Sequence, residues 1–336
     1  PTDGDGAADW ANNYGHGLLR EVEIEIGGQR IDKHYGRWLT AWTELSESNP
    51  TGATGSATST TFDGTLYQTM AGVGRGKDGQ TVAHGVMNIP LQFWFCRNPG
   101  LALPLIALQY HEVKVIVQFE NRAKLTDETS VDTGSSNKLW VDYIYLDTDE
   151  RRRFAQQSHE YLIEQLQYQS VSSTGAVGSH DLNFNHPVKE LIWAFGSDGT
   201  HAADIAAGGD NEGEESTIAS FCIMGAGEFK LKLNGHDRMN KRDYRYFTRA
   251  QTYQHHTGYG GTVARDSIAV YSFSLKPEEH QPSGTCNFSR IDNAQLSIET
   301  AVTNGGTATS TPGGNTALDT LHIYAVNYNV LRIMSG

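Results

Sequence analysis

Glu21-Val22-Glu23-Ile24-Glu25-Ile26-Gly27-Gly28-Gln29-Arg30, followed by Tyr35 to Ser46, decides how this chain is read. Val22, Ile24 and Ile26 alternate with three glutamates, the period of a half-buried strand. Gly27 and Gly28 make the turn. Trp38, Leu39, Trp42 and Leu45 then fall on one helical stripe. The same order returns downstream: Phe229-Lys230-Leu231-Lys232-Leu233, then Asn234-Gly235-His236-Asp237-Arg238, then a charged and aromatic run to Ala250. A strand–glycine–helix unit that occurs twice predicts two similar β domains, and points to architecture rather than to one catalytic cleft.

The chain of 336 residues is long enough for two domains with full cores. Its 36 glycines, many Thr and Ser, and short apolar bursts make a β-rich profile with long polar loops. A net charge of −13 argues against a nucleic-acid-binding face. Cys96, Cys222 and Cys286 are scattered and odd in number, which fits a reducing compartment better than a disulfide framework. No apolar run approaches the ~20 residues of a membrane helix, and no signal peptide is visible. A start at Pro1 rather than Met suggests a fragment or a processed product.

Further strands are expected at Leu91–Cys96, Val113–Phe119 and Leu139–Leu146. Asp147-Thr148-Asp149-Glu150-Arg151-Arg152-Arg153 places acids before bases, which suits a short helix. A domain boundary is placed beside it, giving domains 1–155 and 156–336. Glu160–Tyr168 fits both the strand and the helix period and is read as a strand. Strands follow at Leu182–Phe184, Glu190–Phe195, Phe221–Met224, Phe229–Leu233, Ser267–Leu275, Ala294–Ala301 and Leu318–Ile333. The predicted class is all-β: two tandem eight-stranded jelly-roll sandwiches with short helices in their loops. The second half carries several strands before its glycine turn and the first has only 27 residues before Gly28, so the first roll is expected to lack its opening strands.

Several blocks carry a resemblance. They are Glu25-Ile26-Gly27-Gly28-Gln29-Arg30-Ile31-Asp32-Lys33-His34-Tyr35, Pro99–Val113, Val141–Thr148, His159–Leu166, Leu182–Pro187, Gln281–Asn293 and Asn327–Gly336. In this order they resemble the major capsid proteins of nucleo-cytoplasmic large DNA viruses, the iridoviruses, phycodnaviruses and their relatives. The resemblance implies a double jelly roll, a homotrimer of pseudo-hexagonal outline, and an icosahedral shell tiled by such trimers. It further implies minor capsid proteins as partners, an internal viral membrane beneath the shell, assembly in the host cytoplasm, and no direct nucleic-acid contact. Family members begin with strands absent here, in line with the truncation, and extend slightly beyond Gly336. The loops at 47–85, 121–138 and 196–218 are the candidates for outward or intersubunit positions.

No catalytic set, cofactor site or metal site is expected. Gly74-Arg75-Gly76-Lys77-Asp78-Gly79 satisfies GxGxxG but lacks a flanking strand and helix. Asp210, Glu212, Glu214 and Glu215 lack calcium-loop spacing and read as solvated loop. Ser179, His180 and Asp181 are adjacent, whereas triads assemble from separate segments. His255 and His256 lack metal-ligand spacing and read as surface or core histidines. Arg151, Arg152 and Arg153 read as one end of a capped helix with local ion pairs, and Glu21, Glu23 and Glu25 as a solvated strand face. Asn287-Phe288-Ser289 is a sequon that makes Asn287 a possible glycosylation site. The alternative function is a carbohydrate-binding or cupin-like β-sandwich, which would need a convergent metal or aromatic site.

Overall fold

The computed structural model describes residues 13–47, 66–73, 86–121, 137–173, 175–196, 221–222, 224–258, 266–304 and 320–334. Residues 74–79 and 210–215, the glycine-rich and acidic runs, lie outside the described residues, as does most of the three candidate loops.

The first half opens with α1 (Tyr14–Leu18), β1 (Leu19–Ile26), β2 (Gln29–Tyr35) and α2 (Gly36–Ser46). The glycine turn therefore leads into a second strand before the helix, making a hairpin in which Val22 faces His34 and Ile24 faces Asp32. Gly27 and Gly28 both hold positive φ, which only glycine adopts freely in a tight turn. Next come α3 (Leu66–Ala71), α4 (Trp94–Arg97), β3 (Val113–Phe119) and α5 (Thr148–Gln156). β3 pairs antiparallel with β1, giving a three-stranded sheet in the order β2-β1-β3. Two expectations change here. Leu91–Cys96 is not a strand: the chain is irregular to Phe93 and then forms α4, burying Phe93 and Trp94. Leu139–Leu146 is irregular in the described structure, with its apolar side chains largely exposed.

The second half is larger. Its strands are β4 (His159–Ser172), β5 (Gly178–Asp181), β6 (Pro187–Gly196), β7 (Met224–Leu233), β8 (His236–Asp237), β9 (Arg242–Asp243), β10 (Ala269–Ser272), β11 (Cys286–Asn287), β12 (Ala294–Asn304) and β13 (Thr320–Ile333). One helical segment, a π-turn at Tyr246–Ala250 that runs into α6 (Gln251–His255), follows β9. The second repeat unit thus also contains a hairpin, with Asn234 and Gly235 at its turn, both of positive φ. Two antiparallel sheets result: β10-β6-β13-β4 with β11 on β6, and β5-β12-β7-β8 with β9 on β7. The strand expected at Phe229–Leu233 is present as the second half of β7, which starts earlier, at Met224, whereas Phe221 and Cys222 are irregular.

Leu182–Phe184 is not a strand either. Glutamine side chains of β4 substitute for a ladder there: Asn183 N and Asn185 N donate to Gln169 Oε1 (3.1 Å) and Gln167 Oε1 (2.9 Å). Gln167 Nε2 donates in return to Asn185 O at 2.6 Å.

The sheet β10-β6-β13-β4 organises the rest, because it is buried on both faces. Leu191, Trp193 and Phe195 of β6, with Leu321, Ile323 and Ala325 of β13, face the second sheet and form the core of the second sandwich. Their neighbours Ile192, Ala194, Tyr324 and Val326 belong to another cluster, with Val22 and Ile24 of β1, Trp38, Leu39 and Trp42 of α2, and Phe93 and Trp94. Strand period 2 therefore sorts consecutive residues into two different cores. Aromatic rings tie the second of these together: Trp38 lies 5.3 Å and Tyr168 5.0 Å from Tyr324 between centroids.

Close approach fixes how α2 enters. A Cβ on Gly36 would strike the carbonyl oxygens of His16 and Leu19. Gly36→Ala is therefore expected to cost roughly 3 kcal/mol or more, since rigid backbone cannot move aside. Urea denaturation followed by tryptophan fluorescence checks this; a loss below about 1 kcal/mol would contradict the packing described.

Candidate functional site: the ionic seam between the halves

Both halves meet where β6 breaks its ladder. Val326 of β13 pairs with Glu190, but the next residue, Asn327, pairs with Val188, so Lys189 is an extra residue on β6. Such a bulge re-aims side chains. Here it accompanies two consecutive charged residues that are both fully buried, Lys189 and Glu190. The bulged backbone is held from the side, because Lys189 O accepts from Phe273 N (2.8 Å) and Ser274 N (3.1 Å).

Each buried charge has a partner. Lys189 Nζ donates to Glu164 Oε1 at 2.6 Å and to Glu279 O at 3.0 Å, and lies 4.9 Å from the centre of the Tyr328 ring. The first half supplies the other cation: Arg97 Nη2 of α4 donates to Glu164 Oε2 at 2.7 Å. Its guanidinium rests 4.8 Å from the ring of Trp42 of α2. Tyr328 donates to His280 O at 3.1 Å, and burial followed by the charge of Glu164 pushes its phenol well above the usual range.

Glu190 has a different partner. His256 Nε2 lies 2.8 Å from Glu190 Oε2, and its Nδ1 lies 3.0 Å from Glu278 Oε1. Burial opposes a charge on His256, but carboxylates on both ring nitrogens outweigh it and hold its pKa up at about 9. Both nitrogens then donate. Burial would raise Glu278, yet hydrogen bonds from His256 and Thr257 outweigh it and bring it below the ordinary carboxylate value. Three carboxylates thus meet three cations. Beside them lies a cavity of about 170 Å³, lined from the first half by Trp94, Arg97 and Leu101 and from the second by Glu164, Glu278 and His280.

Two further contacts cross the same boundary. Asp32 Oδ1 of β2 accepts from Leu166 N of the edge strand β4 at 3.0 Å, standing in for a ladder carbonyl. Arg37 of α2 donates to His322 Nε2 of β13, and His322 Nδ1 lies 2.8 Å from the Tyr168 hydroxyl. A guanidinium can only donate, so Nε2 carries no proton and Nδ1–H donates to Tyr168. Burial, aided by Arg37, lowers the His322 pKa to about 2.

Apart from His256, the candidates read from sequence fall elsewhere. Asn287 is exposed on β11; its Oδ1 accepts from Ser289 N at 3.1 Å, and Ser289 Oγ accepts from His186 N at 2.8 Å. Arg151, Arg152 and Arg153 are exposed on α5, whose first turn is capped by Asp147 Oδ1 accepting from Asp149 N and Glu150 N. Glu21 and Glu23 are half-buried rather than solvated, and Lys33 of β2 neutralises them at 2.6 and 3.1 Å. Ser179 and Asp181 on β5 bond outward to Ser297 and Gln295, so the adjacent Ser, His and Asp form no relay. All three cysteines are free. Of the seam residues His256 was singled out from sequence, as a surface or core histidine, and the structure buries its side chain; Lys189, Glu190, Glu164 and Arg97 were not. Their signal was present: Lys189-Glu190 runs straight into the apolar stretch Leu191–Phe195.

Two predictions follow from burial of charge. Lys189→Met leaves Glu164 with the partly exposed Arg97 and, at 3.8 Å, His280, and is expected to cost roughly 3–5 kcal/mol, as for other broken buried pairs. The double variant Lys189→Met/Glu164→Leu should cost less than the sum of the singles, measured by urea unfolding. The second concerns pH. His256 is raised from 6.5 to about 9, so its stabilisation is full below pH 6.5 and is lost as pH rises towards 9. Burial lowers His16 to about 3 and His322 to about 2, so protonation of the unfolded chain removes stability as pH falls below 6.5. Stability from these three histidines therefore peaks near pH 6.5, and His256→Gln should abolish the alkaline limb alone. Unfolding midpoints measured across pH check both limbs.

Comparison with known proteins places this architecture. Residues 150–336 match the family described as large eukaryotic DNA virus major capsid protein, and residues 2–147 match the major capsid protein N-terminus. The chain is 47% identical over 356 residues to the major capsid protein of Pyramimonas orientalis virus, covering 98% of this chain and 77% of that one. It is 40% identical over 361 residues to that of Paramecium bursaria Chlorella virus 1, covering 95% and 77%. Among solved structures, the quasi-atomic model of the PBCV-1 virus capsid superimposes with a TM-score of 0.73 at 37% identity, covering 98% of this chain and 85% of that chain. The all-β double jelly roll expected from the sequence is the fold of these structural neighbours. The chain belongs to the major capsid protein family of the large eukaryotic DNA viruses.

Proposed function

We propose that this chain works as a structural shell subunit: three copies form a trimer of pseudo-hexagonal outline, and such trimers tile an icosahedral capsid. The observation that carries this reading is the sheet shared by two cores and locked by buried charge. A subunit fixed in this way presents its edges at constant angles, which repeated lateral contacts require. Two tandem jelly rolls dividing near residue 155, beside the exposed helix α5, would give each trimer six comparable flanks.

On this reading the chain turns over no substrate, and its polar residues stabilise and assemble. Minor capsid proteins would join the trimers, an internal membrane would lie beneath the shell, and assembly would take place in the host cytoplasm. Exposed Asn287 is the position that such a subunit would offer for an N-linked glycan. The net charge of −13 favours a surface that repels nucleic acid rather than packaging it directly.

Sedimentation of the purified protein tests the reading. A species of three chains at micromolar concentration, with a pseudo-hexagonal outline in negative-stain images, is the expected result. A monomer under all conditions that support shell assembly would overturn it.

A further inference from the structure

A positively charged face stands out on this acidic chain. Seven of its 26 lysines and arginines lie between Lys230 and Arg249, where the carboxylates are Asp237 and Asp243 alone. Lys230 is spent on Asp237 at 2.6 Å, and Lys241 on Glu228 at 2.8 Å. Arg242 and Arg245 are exposed and form no direct ion pair among the described residues; the charge of Arg245 acts at longer range on Asp266, which Arg249 already pairs. Asp243 bonds instead to the backbone, accepting from Arg245 N at 2.9 Å.

Both guanidinium groups are held in place by tyrosine rings. That of Arg242 lies 4.5 Å from the Tyr246 ring centre, and that of Arg245 lies 5.1 Å from the Tyr244 ring centre. Arg245 Nε also donates to the Tyr244 hydroxyl at 3.1 Å, while Gln251 Nε2 donates to the Tyr246 hydroxyl at 3.0 Å. The tyrosines are anchored in turn, since Tyr244 is buried and Tyr246 packs on the second core. Further along the same segment, Arg249 is bidentate to Asp266, and Tyr253 of α6 is 89% exposed. Phe247, Thr248, Gln251 and Thr252 take the buried side of this segment.

Pre-positioned arginines lose little entropy on pairing with carboxylates, and Arg and Tyr are enriched where interfaces are strongest. We propose that the solvent face of the Arg242–His255 segment, with Arg242 and Arg245 as its cations, docks a carboxylate-rich surface of a second copy of this chain. This rests on the shell-subunit reading above. The copy is favoured by charge complementarity: a chain of net −13 that concentrates cations here carries its acid excess on its other faces. A positive face also repels its own image. The contact is therefore heterologous, joining different surfaces of the two copies, the kind that extends a ring or a lattice instead of closing a two-fold dimer.

The test compares wild type, Arg242→Glu/Arg245→Glu, and the milder Arg245→Gln, with circular dichroism melting to confirm that each is folded. Assembly is followed by sedimentation and light scattering from about 50 mM to about 500 mM NaCl, a range over which exposed charge is progressively screened. Support would be a concentration for half-assembly raised about tenfold or more by the double variant, a smaller rise for Arg245→Gln, and weakening of the wild type by salt. Unchanged assembly of the folded variants, with trimers still forming, would overturn the docking face and leave the shell-subunit reading intact. Wild type that stays monomeric throughout would overturn both. Wild type is also titrated with phosphatidylserine vesicles and with duplex DNA. Tight binding that the double variant loses, with assembly unaffected, would assign the face to an anionic membrane or nucleic acid and overturn the proposal.

Discussion

A β-sheet buried on both faces leaves no solvent side on which to place a charge, and β6 nevertheless carries Lys189 and Glu190 in its interior. The ionic part of the junction follows from pairing those two groups. Burying an unpaired ion costs several kcal/mol even after relaxation. The bulge in β6 lets consecutive residues find separate partners: Lys189 takes Glu164, and Glu190 takes His256. Glu164 then draws Arg97 across from the first half, and Arg97 in turn needs Trp42 beneath it. A short chain of necessity runs from one strand irregularity to the packing of the two halves of the chain.

This seam explains why the halves combine apolar and polar contacts. The Trp38–Tyr324–Tyr168 ring group and the β1 aliphatics supply non-directional burial. The Arg97–Glu164, Asp32–Leu166 and Arg37–His322 contacts are directional and are made in only one alignment. Hydrophobic burial brings such surfaces together, while the penalty for an unpartnered buried polar group rejects misaligned versions. For a shell subunit the second effect matters most, because a small tilt between the two halves would be repeated at every copy.

Strong periodicity was legible in the sequence. β1 and β3 stand where alternation placed them, β4, β12 and β13 where strands were expected, and the acids before Arg151 do open a capped helix. β2 escaped notice because its inward residues are Asp32 and His34, polar groups that break the apolar pattern yet are buried. α4 read as a strand because a four-residue apolar turn carries too little period to separate the two. Leu182–Phe184 looked like a strand, but after the single backbone bond from Leu182 N to Ala294 O the chain is held by glutamine side chains of β4 and not by a ladder. The seam was hidden for a similar reason. Partners such as Lys189 and Glu164, or Glu190 and His256, are brought together by topology, not by local spacing.

Calorimetry tests the central claim, that the shared sheet and its ionic seam make the two halves one mechanical unit. The account predicts a single heat-absorption peak at pH near 6.5, with calorimetric and van't Hoff enthalpies equal within error. Two resolved transitions, with tryptophan fluorescence reporting the first half melting separately from the second, would contradict it.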